Sequence, residues 1–204
     1  MKSDAVSLKI LSWQTRAVYL LEQVLAHALV PLAFLIMVLR SRKEPAHFKN
    51  LSDRFGFGAL EHRKSVWIYA AFLGETRAAR PLIRRLRSAG YMVLLTHQSP
   101  AGHAEGARLF GGDDGVTQSF IPLDLFWAVR IFLRRFQPVA LIVMEIEIWP
   151  AMLMETTRKG IPIAMTNGNL LEKSMGNGGG IRRHMFNLYH LFSHIFTRTD
   201  VYQD

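Results

Sequence analysis

The 204-residue chain contains no cysteine. This absence excludes disulfides, zinc–thiolate sites, iron–sulfur clusters and a cysteine nucleophile. It is compatible with a reducing compartment. Half of the residues are apolar, which argues against an intrinsically disordered chain. The length suffices for one domain with a hydrophobic core, or for such a domain and an appendage.

Several short motifs that carry catalytic or cofactor chemistry are also missing. There is no G-x-G-x-x-G fingerprint, which an NAD(P)-dependent oxidoreductase would need, and the stretch GNGGG lacks the lysine of a P-loop. His190 and His194 would share one face of a predicted helix, but without HExxH or a third ligand we expect no metal site. Ser99 lies near His97 and His103, but no G-x-S-x-G elbow supports nucleophilic catalysis.

Positive charge is in excess, with 25 lysines and arginines, 16 acidic residues and a net charge of +9. This balance favours an anionic partner, such as nucleic acid, anionic lipid or a phosphorylated substrate. Because neither a zinc finger nor an RNP signature accompanies the arginines, we expect no nucleic-acid partner. The arginines of 80–87 are either a solvated helix face or a contact for phosphate.

A long apolar segment lies near the N-terminus, AVYLLEQVLAHALVPLAFLIMVL over 17–39. A spanning helix needs about 20 apolar residues, and Glu22 and His27 make this one marginal. The segment could span the bilayer, lie in the interface with Trp13 and Tyr19 at headgroup level, or pack on the domain. The basic residues that follow it suit an anionic cytoplasmic leaflet.

From Ser65 onward, short apolar runs alternate with helix-like segments. Strands with little polar alternation, separated by helices, predict a parallel sheet covered on both faces. The predicted fold class is therefore α/β, with a Rossmann-like domain over 46–204 that follows a membrane-anchor helix and basic flank over 1–45. The predicted strands are 66–71, 91–96, 119–122, 140–144, 161–166 and 195–197, and the predicted helices are 75–88, 102–110, 125–136, 151–158 and 181–192.

Polar residues follow several of these strands, at the edge of a parallel sheet where ligands bind. Glu75 falls in the first turn of a helix, where the dipole stabilises a carboxylate by about 0.3–1 kcal/mol and lowers its pKa. It is either a cap or a general base. Glu145 and Glu147 would share one face if their strand continued, in a site or in a structural ion pair. Other residues at this edge are Thr96, Ser99, Asp124 and Asn167.

Six segments resemble, in order and spacing, the motifs of bacterial 3-deoxy-D-manno-octulosonic acid (Kdo) transferases, the glycosyltransferases that modify lipid A. IYAAFLGE resembles HA-x-S-V-G-E, LSDRFGFG resembles ERFG, and THQSPAG resembles T-x-T-x-T-G. FIPLDL resembles Y-x-P-x-D, MEIEIWP resembles M-E-T-E-x-W-P, and NGNLLEKS resembles N-A-R-L-S-x-x-S. The resemblance extends over roughly residues 17–200.

The resemblance implies a fold of two Rossmann-like halves that face a cleft. The N-terminal half would carry the anchor, lie at the cytoplasmic face of the inner membrane and bind a phosphorylated lipid A precursor. The C-terminal half would bind CMP-Kdo, and the inverting reaction would need no metal or other cofactor. Glu75 would be the general base and Glu145 a second catalytic carboxylate. The implied acceptor-binding residues are Gly74, Thr96, Ser99, Gly102, Asp124, Glu147, Asn167 and Ser174.

The chain also departs from the family pattern. It ends where the donor-binding half would begin, so we expect no turnover of CMP-Kdo by this chain alone. Several polar motif positions carry other residues, namely Tyr69 for histidine, Phe72 and Leu73 for Ser-Val, Ala151 for asparagine, Asn169 for arginine and Leu171 for serine. The alternative is a non-catalytic paralogue or split subunit that binds anionic lipid or a partner at the membrane.

Overall fold

The computed structural model describes residues 13–41, 51–57, 64–145, 147–168 and 187–197. Within these residues lies a six-stranded sheet of order β3-β2-β1-β4-β5-β6, in which every neighbouring pair is parallel. The strands are β1 Ser65–Tyr69, β2 Met92–His97, β3 Val116–Phe120, β4 Ala140–Met144, β5 Ile163–Gly168 and β6 His194–Thr197. This order is the Rossmann order, so the predicted fold class is confirmed.

Helices connect the strands and cover both faces of the sheet. The described helices are α1 Trp13–Ser41, α2 Leu51–Arg54, α3 Leu73–Ser88, α4 Pro100–Phe110, α5 Phe126–Phe136 and α6 Pro150–Arg158, and a 3-10 turn follows at Leu188–Leu191. The predicted strands and helices agree with these bounds to within a few residues, except at 119–122 and 181–192. Strand β3 begins three residues earlier than predicted and ends two earlier, and the described part of 181–192 is the short 3-10 turn.

The central strand β1 shows why both faces of the sheet are apolar. Its side chains alternate between two cores, because successive residues of a strand point to opposite faces. Trp67 and Tyr69 pack in the core beneath α5 and α6, whereas Val66 and Ile68 pack in the core beneath α3. All four side chains are buried, so the strand reads as a continuous hydrophobic run.

Helix α1 packs against the domain through its first half. Tyr19 is buried in the core beneath α5 and α6. The Gln23 side chain donates to the Asp124 carbonyl at 3.0 Å and accepts from the Phe126 N–H at 2.9 Å. The Thr15 hydroxyl accepts from the Asn187 amide at 2.9 Å. Thr15, Tyr19 and Gln23 therefore lie on the face that meets the domain, and several large apolar residues of this half are exposed, namely Leu20, Leu21, Val24 and Leu25.

Candidate functional site

The carboxyl ends of β1, β2 and β4 form one rim of the sheet. Strand β1 pairs with β2 on one side and with β4 on the other, so residues that follow these three strands are neighbours. Glu75 follows β1, and Glu145 and Glu147 follow β4. The topology therefore brings together carboxylates that lie some 70 residues apart in the sequence, as the sequence analysis expected.

Glu75 caps the helix that carries it. Phe72 is the N-cap residue of α3 and offers no side-chain cap. The Glu75 carboxylate instead accepts from the Ala71 N–H and from the Phe72 N–H, as the glutamate of a capping box does. The side chain is only 7% exposed. Glu75 is thus a helix cap, as one of the two alternatives from the sequence held, and the capping hydrogen bonds fix its carboxylate at the rim.

The environment of Glu75 nevertheless makes it basic. Burial raises the pKa of Glu75 to about 7, against the two backbone hydrogen bonds that lower it, and the nearby Glu147 and Glu145 raise it further. Desolvation and like charge both disfavour a carboxylate. The sequence analysis expected the helix dipole to lower this pKa, but burial outweighs that effect.

Glu145 adopts a left-handed backbone conformation, with φ of +61°. Strand β4 ends at Met144, so Glu145 and Glu147 do not lie on a continuing strand as the sequence analysis had considered. The Glu145 N–H still donates to the Thr166 carbonyl at 2.9 Å. The Glu147 carboxylate accepts from the Trp149 indole at 2.8 Å. A left-handed residue other than glycine is strained, and such strain is concentrated at functional sites.

Tyr69 ends strand β1 beneath these carboxylates. Its side chain is fully buried, and its hydroxyl makes no hydrogen bond of good geometry with any other described residue. Burial raises the pKa of Tyr69 well above its usual range, as do Glu147 and Glu75, whereas the nearby Trp149 lowers it. The hydroxyl therefore keeps its proton at neutral pH and can donate a hydrogen bond.

Arg54 lies at the same rim, and the sequence analysis did not identify it as a site residue. Its guanidinium donates to the Gln98 carbonyl at 2.6 Å and to the Gln98 side-chain oxygen at 3.3 Å. It also lies 4.4 Å from the centre of the Phe120 ring. Arg54 is part of the LSDRFGFG segment that carries the family resemblance. The sequence alone does not show where this short segment, which precedes the first strand, packs on the sheet.

Three predicted acceptor-binding residues are held in internal contacts. Thr96 is fully buried, and its hydroxyl accepts from the Trp67 indole at 2.7 Å. The Ser99 hydroxyl caps α4 by accepting from the Gly102 N–H at 3.0 Å. A Cβ on Gly102 would lie 3.2 Å from the Ala71 carbonyl oxygen. These contacts explain the residues structurally, and the structure does not bring Thr96 to the open rim.

Asp124 faces a helix. Its two carboxylate oxygens accept from the N–H groups of Ala151 and Met152 at 3.0 and 2.9 Å, which caps the first turn of α6. Burial raises the pKa of Asp124 to about 6, while the same two hydrogen bonds oppose the rise. The side chain thereby fixes α6 against the start of α5, and contact with an acceptor stays a prediction.

The remaining predicted residues differ in how far the structure describes them. Gly74 is exposed at the start of α3, and a Cβ there would meet no atom within 4 Å. Asn167 lies in β5 next to an irregularity in the pairing with β6, but its side chain is outside the described residues, as is the whole of Ser174.

His97, the last residue of β2, is fully buried. Nδ1 of His97 lies 3.1 Å from the Ala70 carbonyl, and Nε2 lies 3.1 Å from the Gln118 side-chain oxygen. Burial, with a smaller effect of His103, lowers the pKa of His97 to about 4, so this imidazole is neutral. His190 and His194 lie in the 3-10 turn and in β6 rather than on one helix, and the described residues contain no group of three ligands that could hold a metal.

Comparison with known proteins agrees with the geometry. A family model described as 3-deoxy-D-manno-octulosonic-acid transferase (kdotransferase) matches residues 49–204. The 3-deoxy-D-manno-octulosonic acid transferase of Bordetella pertussis is 36% identical over 159 residues, which is 74% of this chain and 37% of that protein. The Haemophilus influenzae enzyme of the same name is 30% identical over 176 residues, 84% of this chain and 41% of that protein.

A plant protein is similar as well. The probable mitochondrial 3-deoxy-D-manno-octulosonic acid transferase of Arabidopsis thaliana is 31% identical over 162 residues, 77% of this chain and 36% of that protein. The matches thus cover about two fifths of the length of the curated relatives. Because the family model covers most of the chain, this protein belongs to the 3-deoxy-D-manno-octulosonic acid transferase family.

Proposed function

We propose that this chain is the acceptor-binding half of a Kdo transferase, in which Glu75 acts as the general base. The acceptor is a phosphorylated lipid A precursor, and the donor is CMP-Kdo, bound by a second Rossmann-like half. Glu75 takes the proton from the acceptor hydroxyl as that oxygen attacks the anomeric carbon and CMP leaves. Family membership supports the substrates, and the rim of the sheet supports the role of Glu75.

The observation that carries this proposal is the convergence of Glu75, Glu145 and Glu147 on one rim. Carboxylates that lie close together raise one another's pKa values, and such clusters are concentrated at functional sites. It also brings the pKa of Glu75 to about 7, and a general base is most effective when its pKa lies near the working pH. Glu145 is the second site carboxylate, held by its strained backbone at the end of β4.

Gly74 supports approach of the acceptor from the same side. Its backbone has open space around it, and the structure gives no packing reason for a glycine there. A sugar can therefore approach the start of α3 beside Glu75 without meeting a side chain at Gly74. We retain Gly74 and Glu147 as acceptor-binding residues in this proposal.

The test is a Kdo transfer assay on the chain, alone and mixed with a separately expressed donor-binding half. We expect transfer only in the mixture, and a drop of about 10²–10⁴ in rate with Glu75→Gln, since this is the usual contribution of a positioned base. Glu105→Gln is the matched control, because Glu105 is equally buried but paired with Arg77 and Arg108. Near-normal transfer by the Glu75→Gln mixture would refute the role of the base.

A second candidate is a non-catalytic subunit that binds anionic lipid at the membrane. It is favoured by the residues that replace polar motif positions, among them the buried Tyr69 and the exposed Phe72 at the rim. In the same assay, a folded chain that shows no transfer in any mixture, yet sediments with anionic vesicles, supports this candidate over the transferase.

We also propose that α1 attaches the protein to the inner membrane. By length and composition, Trp13–Ile36 is a candidate membrane span, and only 12% of this apolar stretch is buried. Its outward face carries large exposed apolar side chains, and a groove of about 540 Å³ runs between α1 and the start of α5. The groove is lined by Tyr19, Leu20, Gln23, Val24, His27, Phe126, Arg130 and Arg158.

The packing of α1 favours interfacial attachment over a span. The half from Thr15 to His27 contacts the domain, so it cannot lie in the bilayer core while the domain stays in water. The remaining 14 residues of the helix, from 28 to 41, extend about 21 Å at 1.5 Å per residue. The hydrocarbon core is about 30 Å thick, so this half can enter one leaflet but cannot cross.

A further inference from the structure

We propose that Arg54 is an anion-binding residue of the acceptor site, and that it takes a phosphate group on the acceptor sugar. The inference rests on the proposed function for the identity of the sugar, and on the structure of the rim for the site itself. It adds a positively charged subsite to the carboxylates that surround the reacting hydroxyl.

The Arg54 guanidinium is held in place by neutral groups. The two Gln98 oxygens accept from its two terminal nitrogens, and the Phe120 ring lies against it at 4.4 Å. The backbone is fixed as well, since the Arg54 carbonyl accepts from the Leu123 N–H at 2.7 Å. A planar guanidinium held in this way is preorganised for a bidentate ligand.

No described carboxylate forms an ion pair with Arg54 within 4.0 Å. The adjacent Asp53 carboxylate accepts from the Ser119 hydroxyl at 3.2 Å and from the Phe120 N–H at 3.3 Å, and its charge acts on Arg54 from beyond ion-pair distance. Burial lowers the pKa of Arg54 to about 10, so it remains charged at neutral pH. A half-buried charge without a direct ion-pair partner is costly, and a substrate anion would relieve that cost.

A short chain of hydrogen bonds connects this cation to the proposed base. Arg54 donates to the Gln98 carbonyl, and the Gln98 N–H donates to the Ala71 carbonyl at 3.0 Å. The N–H of the same Ala71 donates to the Glu75 carboxylate. Two hydrogen-bonded residues, Gln98 and Ala71, therefore separate the charged groups. One phosphorylated sugar, with a hydroxyl at Glu75 and its phosphate at Arg54, would bridge them.

The donors that remain fit a phosphate. Two of the five N–H groups of Arg54 engage Gln98, and the other three make no hydrogen bond within the described part of the chain. The Tyr69 hydroxyl, which also lacks an acceptor among these residues, is close enough to interact electrostatically with Arg54. Guanidinium groups bind phosphate oxygens in pairs, and such charge-assisted hydrogen bonds are the stronger class.

The experiment follows the Arg54 side-chain Nε–Hε resonance by NMR, in the full chain in detergent micelles, during titration with glucosamine 1-phosphate. Inorganic phosphate, gluconate and glucosamine are the comparison ligands, because they separate phosphate from carboxylate and from the sugar itself. We expect both phosphates to shift the resonance, the sugar phosphate at lower concentration, and glucosamine to leave it in place. A shift with gluconate but not with phosphate would overturn the assignment.

Two substitutions test whether the effect belongs to Arg54. Arg54→Gln should weaken glucosamine 1-phosphate binding about tenfold or more, since a hydrogen bond to a charged group contributes about 1.5–3 kcal/mol. Arg54→Lys keeps the charge and should retain part of the affinity if the variant stays folded by circular dichroism. Arg84→Gln removes an exposed arginine of α3 and is the charge-matched control. Equal weakening by Arg54→Gln and Arg84→Gln would show non-specific attraction and overturn the proposal.

The outcome is separable from that of the proposed function. If Glu75→Gln abolishes transfer but Arg54 binds no phosphate, only the inference about Arg54 fails. If Arg54 binds phosphate but Glu75→Gln leaves transfer intact, the base assignment fails and the anion site stands.

Discussion

Glu75 combines two roles that pull its pKa in opposite directions. As a cap of α3 it accepts backbone N–H groups, which stabilise the charged form. As a buried group beside Glu147 and Glu145 it is driven toward the neutral form. Burial is the largest of these effects, so the residue that fixes the helix is also able to exchange a proton near neutral pH.

This balance predicts a pH-dependent stability. The folded-state pKa of Glu75, about 7, exceeds the ordinary value of 4.5, so between these values the folded state binds more protons than the unfolded state. Stability then falls as pH rises through this window, by up to about 3 kcal/mol for a shift of this size. Urea unfolding of Glu75→Gln should show a flatter pH dependence between 4.5 and 7 than the unsubstituted chain.

The difference in pH dependence between Glu75→Gln and the unsubstituted chain isolates the contribution of Glu75. Asp124, with a pKa raised to about 6, adds to the fall in both proteins. His97, with a pKa lowered to about 4, acts the other way, because its stabilisation is lost as pH falls below its ordinary 6.5. An unchanged slope in Glu75→Gln would contradict the raised pKa of Glu75.

The sequence identified Glu75, Glu145 and Glu147 because they follow apolar strands directly, and parallel topology brings such residues together. It could not separate ligand-facing from structural polar residues. Thr96 and Asp124 also follow strands, but their partners, Trp67 and the start of α6, become visible only when side chains are packed. Arg54 could not be predicted because it does not follow a strand. Its place at the rim depends on how α2 packs against Gln98, a contact between residues far apart in the sequence.

At the scale of elements, the order of strands and helices follows from the sequence because apolar runs and helix caps are local signals. The packing of α4 on the sheet is harder to predict. Helix α4 approaches β2 and β3 so closely that a Cβ at Gly106 would lie 2.2 Å from the Gln118 side-chain oxygen on β3 and 2.8 Å from Nε2 of His97 on β2. Close packing of this kind has no signature in hydrophobic periodicity.

Two glycine substitutions should therefore differ. Gly106→Ala should lower the free energy of unfolding by about 1–3 kcal/mol, as overpacking usually does, because the buried His97 cannot shift easily. Gly74→Ala, with open space around it, should leave stability unchanged or raise it by about 0.4–1 kcal/mol. Thermal unfolding followed by circular dichroism measures both, and equal destabilisation of the two variants would contradict the packing described.

At the scale of the whole molecule, α1 sets how the rim meets its substrate. The helix runs along α6 and α5 from Tyr19 to Gln23 and His27, and its second half continues beyond the level at which α5 begins. Helix α5 begins at the carboxyl edge of the sheet, so the exposed apolar half of α1 projects on the side of the proposed acceptor site. An acceptor lipid in the membrane would then present its sugar to that edge.

Membrane binding should depend on the outward face of α1. Leu29 and Leu32, in the half of α1 proposed to enter the leaflet, are 55% and 51% exposed. The double substitution Leu29→Glu, Leu32→Glu should reduce sedimentation with phosphatidylcholine–phosphatidylglycerol vesicles severalfold, because interfacial binding scales with the apolar area that the helix buries. Tyr91→Glu, at a 53% exposed residue far from α1 in the sequence, should bind like the unsubstituted chain. Equal sedimentation of all three proteins would contradict attachment through α1.

The central claim is that carboxylates from successive β–α units meet at one rim, and the carboxyl titration of Glu75 tests it most directly. With ¹³C-labelled glutamate in the full chain, the account predicts a midpoint near pH 7 for Glu75 and a lower midpoint in Glu147→Gln. Glu105 is the internal reference, since hydrogen bonds from Arg108 and Arg77 lower its pKa to about 2. A Glu75 midpoint near 4.5, unmoved by Glu147→Gln, would show that the carboxylates do not share a site.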